Sequence, residues 1–231
     1  MMPHGFSIDG NGYIGGGFDE DAPYRVALND FYRYDPLSDS WTQVSNYHGN
    51  TNNSYSGACE VSDNKSYISF TDQDFYSFDP AGNDWNQLVI SSGALYATCS
   101  SFVIGNNIYY VGGHNLLTDE IKADVWIYNT IEMSWEKKND FPGGPRIYGV
   151  GFMSGNFGFV GLGYDGSRYY DDMWKYNPEN DTWTQVENFP GTARSLSFAF
   201  KINNKIYIGT GLNSSGQLCG DMYCFNPLST K

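Results

Sequence analysis

Asp124-Val125-Trp126-Ile127-Tyr128-Asn129-Thr130, with Trp135 six residues beyond Asn129, sets the architecture of the 231-residue chain. Its side chains alternate with the two-residue period of a β-strand. The same phrase recurs without gaps as Asp30-Phe-Tyr-Arg-Tyr-Asp35-Pro36, Asp74-Phe-Tyr-Ser-Phe-Asp79-Pro80, Asp172-Met-Trp-Lys-Tyr-Asn177-Pro178 and Asp221-Met-Tyr-Cys-Phe-Asn226-Pro227. Trp41, Trp85 and Trp183 keep the six-residue offset, whereas the fifth copy points to position 232, one past the last residue given. The turn residues are spaced 44, 50, 48 and 49 apart, so the chain is an array of one unit.

Working outward, a second block precedes each phrase: Gly12-Tyr-Ile-Gly-Gly-Gly17, Ser66-Tyr-Ile-Ser-Phe-Thr71, Ile108-Tyr-Tyr-Val-Gly-Gly113, Gly158-Phe-Val-Gly-Leu-Gly163 and Ile206-Tyr-Ile-Gly-Thr-Gly211. A polar pair such as Gly105-Asn106 stands before each block, and before that lies a run of small and apolar residues, for example Ser195 to Ile202. Gly-Asn is a hairpin signal, and Asp/Asn-Pro starts a turn because the side chain caps it while proline pre-sets φ. Each unit therefore offers four antiparallel strands: A (the small run), B (the Tyr-Ile-Gly block), C (the Asp-aromatic phrase) and D (the tryptophan strand). No stretch has sustained helical periodicity.

The period, the four strands, the glycine pair after strand B and the tryptophan on strand D resemble the kelch repeat, over essentially the whole chain. The third copy, with Gly112-Gly113, Tyr128 and Trp135, matches best; the second, with Phe70-Thr71 in place of the glycines, departs most. The resemblance implies an all-β, kelch-type β-propeller. The expected blades are residues 1–44, 45–88, 89–138, 139–187 and 188–231, four of them four-stranded and the fifth three-stranded. Trp41, Trp85, Trp135 and Trp183 are expected to fill the gaps between blades, with Tyr34, Phe78, Tyr128, Tyr176 and Phe225 beside them. The Gly112-Gly113 pair is expected to serve positive φ or close backbone approach. A fifth blade without an outer strand leaves an unpaired edge. Either the chain is part of a six- or seven-bladed ring, or it closes with five blades.

Composition narrows function. With 13 Lys+Arg against 26 Asp+Glu, the net charge of −13 disfavours nucleic acid and anionic membranes. No apolar run is long enough to span a bilayer, and the first residues do not read as a signal peptide. Low lysine and abundant Asn, Ser, Tyr and Gly lean towards an extracellular or periplasmic protein. Cys59, Cys99, Cys219 and Cys224 are too scattered for a disulfide scaffold; with His4, His48 and His114 dispersed, no metal site and no cofactor are expected. The acidic clusters Asp19-Glu20-Asp21 and Asp171-Asp172 lack calcium-loop spacing and read as solvated surface.

In an A-B-C-D meander, the A–B and C–D turns share one face of the disc, and the longer, dissimilar B–C and D–A loops share the other. Variable loops on a rigid scaffold are where binding resides. On that face stand Tyr24, Arg25, Tyr47, His48, His114, Tyr148, Arg168, Tyr169 and Tyr170. Tyr and Arg are the types that anchor interfaces, and the rings of Tyr24, Tyr169 and Tyr170 are expected to be exposed. Arg146 and Arg194 end the matching segments Phe141-Pro-Gly-Gly-Pro-Arg146 and Phe189-Pro-Gly-Thr-Ala-Arg194. They are expected near the channel mouth, either gripping a ligand carboxylate or tying neighbouring blades through carbonyls or an acidic side chain.

No catalytic residue is assigned. Among kelch-like proteins, galactose oxidase requires clustered His and Tyr ligands and a modified Cys that three dispersed histidines cannot reproduce. No motif of the sialic acid mutarotases carries over residue by residue. The expectation is a non-enzymatic binding module for a protein or glycan. The alternatives are a mutarotase-type, carbohydrate-processing enzyme holding an acidic sugar with Arg146 and Arg194, or a structural propeller within a larger exported protein.

Overall fold

The computed structural model describes residues 4–19, 26–49, 57–69, 74–91, 93–94 and 96–225. Blade 1 contains β1 (His4–Ile8) and β2 (Asn11–Gly15), a short pair β3 (Phe18–Asp19) and β4 (Val26–Ala27) within its B–C loop, then β5 (Phe31–Asp35) and β6 (Ser40–Val44). Blade 2 is β7 (Cys59–Ser62), β8 (Lys65–Ser69), β9 (Phe75–Asp79) and β10 (Asp84–Gln87). Blade 3 is β11 (Ser100–Ile104), β12 (Asn107–Asn115), β13 (Glu120–Asn129) and β14 (Ser134–Lys138). Blade 4 is β15 (Val150–Ser154), β16 (Phe157–Gly161), β17 (Met173–Asn177) and β18 (Thr182–Gln185). After β19 (Arg194–Ser195) come β20 (Phe198–Ile202) and β21 (Lys205–Gly209), then β22 (Leu212–Asn213), which pairs with β19, and β23 (Met222–Phe225). Each blade is an antiparallel meander in chain order, and the described part of blade 5 is the three-stranded sheet β20-β21-β23. No helix occurs among the described residues.

The core lies between blades rather than inside them. Four apolar clusters occupy the four successive interfaces. Ile8, Tyr13 and Phe31 of blade 1 meet Ile68, Phe78 and Trp85 of blade 2. Tyr67 and Phe75 meet Tyr110 and Tyr128, Phe102 and Tyr109 meet Val160 and Tyr176, and Phe152 and Phe159 meet Ile206 and Ile208. A recurring triplet builds the forward-facing side. Phe6 stacks on Tyr13 (4.9 Å), Phe102 on Tyr109 (4.7 Å) and Phe152 on Phe159 (5.3 Å). Tyr13, Tyr109 and Phe159 each meet the ring that the next blade offers, Phe78, Tyr176 and Phe225 respectively. In blade 2 the aromatic position of strand A is taken by Glu60.

Strand C and strand D stay in one register, with Tyr34, Phe78, Tyr128 and Tyr176 opposite Trp41, Trp85, Trp135 and Trp183. The indoles of blades 2 to 4 fill the space behind their own blades: Trp85 packs on Phe31 of blade 1 and on Tyr47, Trp135 on Phe75 of blade 2, and Trp183 on Phe141 of the D–A loop that enters its blade. Trp41 departs from the expectation. It is 58% exposed, against 6% for Trp85, because blade 1 has no blade packed behind it among the described residues.

The glycine pair behaves as its spacing implies. Gly112 and Gly113 have φ of +68° and +108° and sit in a bulge of β12. A Cβ on Gly112 would lie 2.6 Å from the carbonyl oxygen of Arg146, and one on Gly113 would lie 2.6 Å from Tyr96 Cβ. The second copy's Phe70-Thr71 lies outside the described residues.

Candidate functional site

Strands A line the axis. β1, β7, β11, β15 and β20 follow one another around it and surround a cavity of about 410 Å³ whose walls include Phe6, Glu60, Phe102, Phe152 and Lys201. Glu60 and Lys201 are the only charged side chains in that lining. Burial pushes the Glu60 carboxyl up to about 7, although the Ser101 hydroxyl donates to it at 2.6 Å and pulls the other way. Sequence reasoning missed Glu60. Its signal was the carboxylate standing where the four other units place Phe: Phe6, Phe102, Phe152 and Phe200.

On the B–C/D–A face a backbone chain runs along the channel mouth across blades 3 to 5. Thr98, Tyr148 and Leu196, at the heads of the A strands of blades 3, 4 and 5, adopt φ of +60°, +56° and +57°. The Tyr148 amide donates to Thr98 O and the Leu196 amide to Tyr148 O, both at 3.0 Å. Tyr148 thus stands at the mouth with its ring half-buried.

Arg146 and Arg194 are not free to take a ligand. Arg146 is fully buried. Its guanidinium donates to both carboxylate oxygens of Asp172 (2.7 and 3.1 Å) and to Leu162 O (3.1 Å). Its own backbone amide donates to Lys122 O, and its carbonyl accepts from Gly113, both in blade 3. Arg194 repeats the arrangement one blade on, donating to Asp221 at 2.5 and 3.0 Å and to Thr210 O at 3.1 Å, while its backbone bonds to Tyr170 and Gly163. Each is a pin between consecutive blades, so the carboxylate-gripping expectation is corrected in favour of the tie. A bidentate pair at that depth engages the terminal nitrogens of the cation inside the protein, and of the Arg146 donors only Nε, itself buried, lacks a hydrogen-bond partner. Arg194 holds the Asp221 carboxyl below the usual carboxylate range. A third pin was invisible to the arginine pattern: in blade 3 Tyr96 takes the equivalent place, its hydroxyl donating to Asp124 at 2.8 Å. The aspartate opening each of these three C-strand phrases is therefore an anchor for the preceding D–A loop.

The B–C loop of blade 4 carries the most developed surface of that face. Asp165 caps it, accepting from the amides of Ser167 (2.8 Å) and Arg168 (2.7 Å) and from the Tyr170 hydroxyl (2.6 Å). Burial pushes the Asp165 carboxyl up, but these bonds outweigh it and hold the group well below the usual range. Tyr164 and Tyr169 bridge the loop and pack with their rings tilted at 39° and 4.6 Å apart, and the Tyr164 hydroxyl bonds to Gly166 O. Tyr170 is sandwiched, with the Arg146 guanidinium 4.4 Å and that of Arg168 5.0 Å from its ring centre. Arg168 is exposed and Tyr169 and Tyr170 are half-buried.

The remaining expected residues scatter. His114 extends β12 and pairs with Asp119 at 2.8 Å, so the loop from His114 to Ala123 is largely a hairpin extension. Tyr47 is buried in the interface of blades 1 and 2 rather than displayed, and His48 is exposed. Tyr24 and Arg25 lie outside the described residues. Among the described residues no group of three or more His, Cys, Asp or Glu is placed to hold a metal ion.

This ring of A-lined meanders, with indoles between blades and loops gathered on one face, defines a kelch-repeat β-propeller. Kelch motif models match the chain in three stretches, one model at residues 95–142 and a second at residues 8–46 and 163–190. A solved structure titled "Structure of YjhT" superposes with a TM-score of 0.83 over 99% of this chain and 82% of that one, at 16% identity, a likeness of fold. No curated protein matches the sequence.

Proposed function

We propose that this propeller is a non-enzymatic binding module that takes a protein or glycan ligand on its B–C/D–A face, with the blade-4 loop as the anchor. The observation that carries the reading is the preorganised surface of Tyr164, Arg168, Tyr169 and Tyr170, held by Asp165. Tyrosines packed on one another offer area at little entropic cost, because the rings are ordered before any ligand arrives. Arg168 supplies an exposed cation in a chain of net charge −13, a local attraction for an acidic group. Tyr148 at the channel mouth extends the same face. The sugar-processing alternative drew on two arginines that are engaged with Asp172 and Asp221, and it loses that support.

The test is a glycan array of neutral and acidic oligosaccharides, run beside pull-down with the wild-type chain and an R168A/Y169A variant, with an anomer-exchange assay on sialic acid as the enzymatic arm. Binding that drops at least tenfold in the variant, at unchanged thermal stability, supports the reading. Binding indifferent to both substitutions, or anomer exchange above the uncatalysed rate, overturns it.

A further inference from the structure

We propose that the cleft between blades 1 and 2 on the A–B/C–D face, opposite the loop face, is a second binding site. Its ligand is a small zwitterion of α-amino-acid type, with the carboxylate on Arg33 and the ammonium on Asp9. The cleft has a volume of about 400 Å³, within the range of small-ligand sites, and is walled by Asp9, Tyr13 and Arg33 of blade 1 and by Asp63, Lys65 and Asp79 of blade 2. These walls are paired strands and the tight turns that join them, so the ladders hold their shape.

Arg33 is out of place by the logic of the repeat. It stands on strand C opposite Tyr13, where the other units carry Ser77, Ile127, Lys175 and Cys224. Ser77 and Ile127 are each 5% exposed, so in blades 2 and 3 this is an interior position. The other cation of the set, Lys175, lays its ammonium 4.8 Å from the ring centre of Phe157, the first residue of its strand B. In blade 1 the place of Phe157 is taken by Asn11, and Arg33 has no such ring to rest on. Its Nε is buried without a hydrogen-bond partner, and its terminal nitrogens donate to no group among the described residues. Asp35, two residues along, spends its carboxylate on the Leu37 amide at 2.8 Å. The planar end of Arg33 is therefore left open to the cleft, and that fork takes a carboxylate through two parallel bonds.

Three carboxylates share the cleft, and two are engaged. Asp63 accepts from the Thr130 hydroxyl at 2.7 Å. Asp79 accepts from Lys65 Nζ at 3.1 Å and from the Ala81 amide at 2.9 Å, which also neutralises the second cation. The Asp9 carboxylate enters no ion pair and no hydrogen bond among the described residues. Burial pushes the Tyr13 phenol up, Arg33 pulls it down and Asp9 pushes it up further, so the two unpaired charges act on one hydroxyl without pairing with each other. A positive and a negative group facing one cleft complement a ligand that carries both charges. A simple anion meets the repulsion of Asp9 and a simple cation that of Arg33, so the pair selects against each.

The experiment follows the backbone amide signals of Asn11, Tyr13, Arg33 and Lys65 by NMR in the full chain while L-α-amino acids are added singly at millimolar concentration. At least one is expected to give saturable shifts centred on these residues. The same amino acid offered as its α-amide or its N-acetyl derivative, each of which removes one charge, should bind about tenfold more weakly or worse. R33Q and D9N should each weaken binding by a similar factor at unchanged Tm; the φ of +49° at Asp9 is one that asparagine tolerates. Should R33Q fail to fold, D9N and the two derivatives still decide. The proposal is overturned if no amino acid gives saturable shifts in the cleft, if both derivatives bind as tightly as the parent, or if binding is indifferent to both substitutions.

Discussion

Glu60 shows how one departure from the repeat acquires a physical consequence. Its cross-strand partner is Tyr67 and its carboxylate accepts from Ser101 of blade 3; burial keeps its proton on to about pH 7 where an unfolded chain releases it near 4.5. The folded state then binds more protons than the unfolded state between those values, so this residue's contribution to stability declines as pH rises from 4.5 to 7 and is flat above. That rise in pKa corresponds to about 3 kcal/mol. His4 acts in the opposite sense: burial lowers its pKa to about 4, so stability is lost as pH falls from 6.5 through 4. The two slopes oppose each other in the wild type. Glu60→Gln removes one of them. Urea titrations at intervals between pH 4.5 and 8 should give a variant whose stability relative to wild type improves by about 3 kcal/mol across the range. A difference that does not vary with pH would mean Glu60 titrates normally. The arginine pins belong to the same scale. The sequence pattern located Arg146 and Arg194 and paired them as equivalents. Their partners Asp172 and Asp221 are 26 and 27 residues away, and only the fold shows that both carboxylate oxygens of each are taken.

At the scale of the strand, the tryptophan position is set by the repeat but its energy is set by the neighbour. Trp135 packs on Phe75 (5.4 Å), Tyr110 (5.4 Å) and Tyr128 (4.9 Å), and its indole N–H donates to Val89 O at 2.8 Å. Trp41 has the same register and meets Tyr34 at 5.0 Å, yet it faces solvent. Trp135→Ala should therefore cost about 3–5 kcal/mol in urea unfolding, and Trp41→Ala about 1 kcal/mol or less. Equal losses would place the stabilising contacts within each blade instead of between blades. The order of strands, the hairpin turns and the C–D register were legible because period-two alternation and Asp/Asn-Pro turns are local signals. The loops were less so. The blade-3 loop after His114 proved to be an extension of β12 and β13, since its pairing is decided by a bulge at Gly112 and Gly113 that bends the ladder without ending it. The blade-4 loop owes its shape to Asp165, a turn-capping residue whose role depends on Tyr170 folding back on it.

For the whole molecule, an array whose cores lie only between units gains stability by nearest-neighbour contacts. Blades 2, 3 and 4 each bury two faces in the clusters at successive interfaces, whereas blades 1 and 5 bury one. The sequence announced five units. It gave no measure of which faces are covered, because the end units carry the same forward pair as the inner ones, Phe6-Tyr13 and Phe200-Tyr207 alongside Phe102-Tyr109. That asymmetry has a kinetic signature. Local opening is least costly where fewest apolar contacts are lost, so amides of β1, β2, β20 and β21 should exchange with deuterium well before those of β11, β12, β15 and β16. Peptide-resolved hydrogen exchange at neutral pH reads this directly. The expected profile is a protected centre flanked by two less protected ends, with β20 and β21 the fastest because Phe198 and Ile202 are already wet. One common exchange rate across all five blades would instead require the two end faces to be covered in solution, and the open-ended stack would then be the wrong description of the molecule.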